Sequence, residues 1–200
     1  MAGRETARHS GIVATASWLE GRAISATIGV LAFVVMTALG AQVRIPLPWT
    51  PVPITLQTFF VSLAGATLGP ALGPASQAMY LLIGIAGLPV FAGGASGSHY
   101  AFTGPTTGYL IGFIAAPAIV GRLVRQRDDP GVFWILMSMA AGSLTIFVCG
   151  VSWLAWNLGF SLTEAVAKGF LPFLVGDVVK TGVAAGLFRG YRRRAHDLFP

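Results

Sequence analysis

Apolar residues fall in long runs divided by short stretches of proline, glycine or charge. Residues 23–41 hold only Ser25, Thr27 and Thr37 as polar side chains. That is the length and apolarity of one bilayer crossing, since about 20 apolar residues span a ~30 Å hydrocarbon core. Residues 54–68 and 72–86 are two further runs, split by Gly69-Pro70-Ala71-Leu72-Gly73-Pro74, a strong turn signal. Each is shorter than a comfortable crossing, so either the helices extend into their flanks or the bilayer thins locally. Residues 105–124, 131–158 and 170–188 complete six spans. In the first connection Pro46, Pro48, Pro51 and Pro53 remove amide donors and impose an extended loop. Residues 87–104, centred on Gly93-Gly94-Ala95-Ser96-Gly97-Ser98-His99-Tyr100, read as a structured loop, and 158–168 as a third connection on the same side.

Composition places these runs in lipid. The 200 residues include 13 Lys+Arg and 7 Asp+Glu, 54% are hydrophobic, and the mean hydropathy is +0.73. Soluble domains are about 25% charged, so a water-coated surface is excluded, and disorder is excluded by the same hydrophobicity. A net charge of +6 and a pI near 10.3 do not indicate a nucleic-acid binder, because the basic residues cap apolar runs instead of lining a solvated face. With Cys149 alone, no intrachain disulfide exists. The first run follows a mixed polar segment and reads as a retained span, not a cleaved leader.

Charge sets the orientation. With six spans and a cytoplasmic N-terminus, ten basic residues lie inside, among them Arg122, Arg125, Arg127 and the Arg192-Arg193-Arg194 run, against Arg44 and Lys168 outside. This follows the positive-inside rule. The expected fold is an all-α integral membrane protein with six transmembrane helices, N-in and C-in. Residues 1–22 form a cytoplasmic N-terminal tail, 23–190 the six-helix substrate-binding domain, and 191–200 a cytoplasmic basic tail. The Pro-rich and Gly-rich loops then share the outer face, where a pocket opens.

Two charges remain within the bilayer, Asp177 and Lys180 on the last span. Such a charge costs about 2.5–3.5 kcal/mol on insertion scales and persists with a partner or a task. At i and i+3 they share a helix face. They either neutralise each other or meet a ligand, Lys180 taking an anionic group and Asp177 accepting from N–H donors. Trp49, Tyr80, Phe91 and Tyr100 offer flat apolar walls, and Gln57, Gln77, Ser96 and Ser98 neutral hydrogen-bonding groups. That mix suits a small molecule with an apolar body and few polar atoms. Trp49 also suits an interfacial belt and Gln57 a helix-to-helix hydrogen bond. No G-x-x-x-x-G-K-[ST] phosphate loop occurs, so the chain does not hydrolyse ATP by that route. Gly94-Ala95-Ser96-Gly97 matches the nucleophile motif of rhomboid-type intramembrane serine proteases, but no later span supplies a histidine base: His99 lies in the same loop and His196 in the C-terminal tail.

These stretches together resemble the BioY family, the biotin-binding S components of energy-coupling-factor (ECF) transporters. The resemblance rests on residues 41–48 and 51–59, on Leu63-Ala64-Gly65 with Leu68-Gly69-Pro70, and on residues 87–94. Gly104-Pro105-Thr106 with Gly108-Tyr109-Leu110 and residues 172–180 complete it. It implies an ECF S-component-like fold with an outward-facing, loop-capped site that binds biotin with high affinity. It maps the family's intramembrane Asp and Lys onto Asp177 and Lys180, and with the residues read above the expected substrate-binding set is Asp177, Lys180, Tyr80, Gln77, Gln57, Phe91 and Trp49. It also implies a transmembrane coupling protein and two cytoplasmic ATPase subunits as partners, with no catalysis and no cofactor of its own. An S component for another small vitamin is the neighbouring alternative. In this family the first helix is expected to present small residues to the coupling protein, and Ser25 and Gly29 are the nearest candidates.

Overall fold

The computed structural model describes residues 2–199, with side chains from Gly21 onward; the side chains of the expected N-terminal tail before Gly21 lie outside the described residues. Among the described residues, five helices are long and apolar enough to cross a membrane. They are α1 (Ala2–Gln42, the apolar part being Gly21–Gln42), α2 (Gln57–Ile85), α4 (Thr107–Val124), α5 (Val132–Leu158) and α7 (Leu171–Leu198). Without water to satisfy backbone amides, each apolar run closes its own hydrogen bonds as a helix.

The sixth helix is inside α2. Gly69 has φ 84° and ψ −172°, a backbone region open essentially to glycine, and there the helix turns back on itself. A Cβ built on Gly73 would lie 3.1 Å from Gly65 Cα. Gln57 Nε2 donates to Tyr80 Oη at 2.8 Å across 23 residues of sequence, a separation that a straight helix would stretch to roughly 35 Å. The limbs 57–68 and 70–85 are therefore an antiparallel hairpin of about 18 and 24 Å. Both are shorter than the ~30 Å core, and a small ribbon precedes the first limb. In that ribbon β1 (Arg44–Ile45) pairs antiparallel with β2 (Ile54–Thr55), Arg44 opposite Thr55. The four prolines lie in the loop between the strands, where missing N–H groups cost no ladder bond.

The hairpin packs on α4 through glycine. A Cβ on Gly65 would come within 2.7 Å of Pro117 Cα, and one on Gly121 within 2.5 Å of the Gly69 carbonyl carbon. Two buried clusters result. One gathers Tyr80, Phe91, Tyr109, Phe147 and Phe173 in the half nearer the ribbon, and the other gathers Phe33, Leu68, Met139 and Phe188 toward the opposite end. Gly29 belongs to this second half, covered by Leu68 and Phe199, while Ile24, Ile28, Leu31 and Val35 form the exposed side of α1.

Two of the three outer connections carry more helix than expected. Residues 97–103 form α3 (Gly97–Thr103) and 162–169 form α6 (Leu162–Gly169). The second has a local cause: Ser161-Leu162-Thr163-Glu164 is an S-x-x-E capping box, and Ser161 Oγ accepts from the Glu164 amide at 3.2 Å. Glu164 and Lys168, one turn apart, pair at 2.7 Å. Ser161→Ala should cost about 1 kcal/mol. Amide hydrogen exchange should show faster exchange confined to the first turn of α6.

Basic residues gather at the end remote from the ribbon. The Arg125 guanidinium lies against Gly69 and donates to the Phe199 carbonyl, Thr67 and Tyr191 hydroxyls share a 2.8 Å hydrogen bond, and Asp129 is held by Arg189 and Arg192. Hydrogen bonding from Arg192 keeps the Asp129 carboxyl below its usual range. This tether is complete above the ordinary carboxylate value and is lost as pH falls through the lower folded one.

Candidate functional site

Between the ribbon and the bundle lies a cleft with about 570 Å³ of atom-free space, its open mouth included. Each wall comes from a different element. β2 and the start of α2 supply Thr55, Gln57 and Thr58, the glycine-rich loop supplies Phe91, and α3 supplies Tyr100. The N-terminus of α4 contributes Thr106 and Tyr109, α5 contributes Phe147, and α7 contributes Phe173 and Lys180.

Lys180 is the one charged group in this lining. Its Nζ donates to Thr58 Oγ1 at 2.6 Å and to the Thr55 carbonyl at 3.1 Å. An ammonium has three donors, so one is left for the cleft. Among the described residues the three ion pairs within 4.0 Å all lie elsewhere, at Glu164 and Asp129. The lysine is thus a half-buried cation without an acidic contact, a costly arrangement unless a ligand completes it.

A relay of hydrogen bonds stiffens the wall behind it. Thr55 Oγ1 donates to Gln57 Oε1 at 3.1 Å, Gln57 Nε2 donates to Tyr80 Oη at 2.8 Å, and Tyr80 Oη donates to the Val90 carbonyl at 3.0 Å. Tyr80 meets Phe91 edge to face at 5.6 Å, and Phe91 stacks on Tyr100 at 5.3 Å and 18°. The Phe91 ring occupies the space a side chain at Gly84 would need, so that glycine admits the ring to the cleft wall. On the opposite wall Tyr109 Oη donates to the Gly169 carbonyl at 2.6 Å, tying α6 to the cleft.

Of the residues singled out from sequence, Lys180, Gln57, Phe91 and Tyr100 meet in the cleft, and Tyr80 is fully buried directly behind Phe91 and Gln57. Asp177 faces the other side of α7, in a neighbouring cleft against α5 that it shares with Ser143, Leu144 and Thr181. Phe147 walls both clefts. Gln77 is buried and turned to α1, donating to Thr37 Oγ1 at 3.3 Å and Ser76 Oγ at 3.1 Å. Trp49, at the tip of the Pro-rich loop, is 59% exposed and outside the lining. Ser96 precedes α3 without a side-chain capping bond, whereas His196 packs on Phe188 near the basic end. The sequence singles out no role for Thr55, Thr58, Thr106, Tyr109, Phe147 or Phe173, which also line the cleft. All but Phe147 lie within the stretches that carry the family resemblance, whereas Phe147 sits in an apolar run where nothing marks one ring over another.

The profile of the BioY family matches residues 13–197. The chain is 44% identical over 152 residues to a probable biotin transporter BioY of Pyrococcus horikoshii, covering 76% of this chain and 86% of that protein. It is 39% identical to the biotin transporter BioY of Thermotoga maritima, over 76% of this chain and 87% of the relative. For that of Rhizobium etli the identity is 35%, over 78% and 86%. Among solved structures, it is similar to the S-component for biotin from an ECF-type ABC transporter, with a TM-score of 0.76 and 26% identity over 88% of this chain and 93% of that one.

Proposed function

Because the chain belongs to the BioY family, we propose that it is the biotin-capturing membrane subunit of a vitamin uptake transporter, with Lys180 receiving the carboxylate of biotin in the outward cleft. The observation that carries this reading is the Lys180 ammonium, held by two neutral oxygens, lacking an acidic contact and enclosed by aromatic walls. Biotin supplies a carboxylate for that cation, an apolar ring body for Phe91 and Tyr100, and a ureido group with acceptor and donor atoms. Asp177, beyond the Phe147 ring, is assigned to the ureido N–H donors of the same ligand. Gln57 and Tyr80 support the wall through the relay. Gln77 and Trp49 are assigned to the edges of the site, the first through the α1 contact and the second through the loop that closes over the mouth.

Residues 23–190 are the substrate-binding unit in this reading, in the plasma membrane, with the basic segments on the cytoplasmic side. The partners are an ECF-type transmembrane coupling protein and two cytoplasmic ATPase subunits, which supply the energy. Biotin is cargo; the chain performs no chemistry on it and needs no cofactor.

A ligand screen by thermal shift on the purified chain tests this. At 100 times Kd a ligand stabilises by about 2.7 kcal/mol, so biotin should raise the melting temperature by several degrees, whereas thiamine, riboflavin and pantothenate should not. A shift with one of those vitamins and none with biotin would reassign the cargo.

A further inference from the structure

The lining of the cleft includes few neutral side-chain polar atoms, and most of them are already engaged. Thr55 Oγ1 is spent on Gln57, Gln57 on Thr55 and Tyr80, Thr58 Oγ1 on Lys180, and Tyr109 Oη on the Gly169 carbonyl. Thr106 is different. Its Oγ1 is buried and has no hydrogen-bond partner among the described residues, and the residue lines the cleft. Thr106 precedes α4 with helical φ −92° and ψ −5°, a backbone that lacks N-cap geometry, and its side chain makes no capping bond. The hydroxyl therefore has no duty within the helix and remains unpaired in a residue that lines the cleft. Buried polar groups are ordinarily satisfied, and one that is not calls for a partner.

We infer that the Thr106 hydroxyl is a specificity-determining contact of the binding site, donating to a neutral acceptor of the ligand while Lys180 takes its anionic end. This rests on the biotin reading, in which the ureido carbonyl is the acceptor available for Thr106. A hydroxyl donates one proton and carries no charge, so it suits a neutral carbonyl oxygen, leaving the carboxylate to the ammonium. Its cost when the ligand lacks the acceptor is what gives discrimination, because the hydroxyl then stays buried and unpaired.

The test is isothermal titration of wild type, Thr106→Val and Thr106→Ser with three ligands: biotin, biotin amide, in which the carboxylate is neutralised, and 2-iminobiotin, in which the ureido oxygen is replaced. Thr106→Val should weaken biotin binding about five- to tenfold, the loss of one hydrogen bond, and Thr106→Ser should restore most of it. The loss caused by Thr106→Val should persist with biotin amide and shrink toward none with 2-iminobiotin. Unchanged biotin affinity in Thr106→Val, or an equal loss with biotin and 2-iminobiotin, overturns the assignment while leaving biotin as the cargo. If Thr106→Val does not fold, a Thr106→Ser protein that binds biotin no better than wild type binds 2-iminobiotin overturns it as well. Wild-type protein that takes up no biotin contradicts the substrate reading and this contact together.

Discussion

Lys180→Met should weaken biotin binding ten- to a hundredfold, as expected for removal of one charge-assisted bond of about 1.5–3 kcal/mol in a desolvated cleft. Methionine keeps the length and the apolar stem but none of the three donors. The unliganded protein should melt at the same temperature or slightly higher, because a half-buried ammonium lacking an acidic contact is a cost to the empty fold. Affinity and stability therefore move in opposite directions. A merely structural lysine, bracing β2 against α7 through Thr55 and Thr58, would lose both. Asp177→Asn should lower affinity at least tenfold if the carboxylate accepts from the ureido group, with the same titration as the readout. Wild-type affinity in Asp177→Asn would remove this residue from the site and leave the Lys180 cleft standing.

The second large effect concerns the hairpin. Gly69→Ala should destabilise the protein by about 3 kcal/mol, lowering the melting temperature by roughly 6–12 °C. Two causes add. The φ of 84° with ψ near 180° is strained for any residue with a Cβ, and the space a Cβ would need is filled by the Arg125 guanidinium. Displacing Arg125 also breaks its bond to the Phe199 carbonyl, so the turn, α4 and the end of α7 loosen together. Gly186→Ala is the matched control. It lies within α7 with nothing near its Cβ and should be neutral or slightly stabilising, as alanine is the better helix former.

Much of this architecture is legible in the chain because lipid makes the rules simple. Long apolar runs become helices, and Gly69-Pro70 marks where two short ones meet. What the sequence did not convey is that the two limbs fold against each other so tightly that glycine at 65 and 73 is needed at their crossing. The capping box at Ser161 was present in the letters, and its helix follows from it, but a short polar segment after a long span reads first as a loop. For the site, scarcity of charge made Asp177 and Lys180 conspicuous, and their spacing suggested one shared face. Residues three apart differ by about 60° around a helix. On α7, wedged between α2 and α5, that angle is enough to send the long lysine to Thr55 and Thr58 and the short aspartate to the α5 side. Gln77 illustrates the converse, a polar residue beside the site motifs whose amide donates to Thr37 on α1 and to its own neighbour Ser76. Hydrogen-bond saturation is a property of the fold, and no spacing in the sequence records it.

This chain alone, through the Lys180 cleft, should capture biotin. The most direct measurement is isothermal titration of biotin into the purified wild-type protein without any partner subunit. Saturable binding with one biotin per chain, weakened when biotin amide replaces biotin, is the predicted result. Absence of binding heat over a wide concentration range, or equal affinity for the acid and the amide, would contradict it.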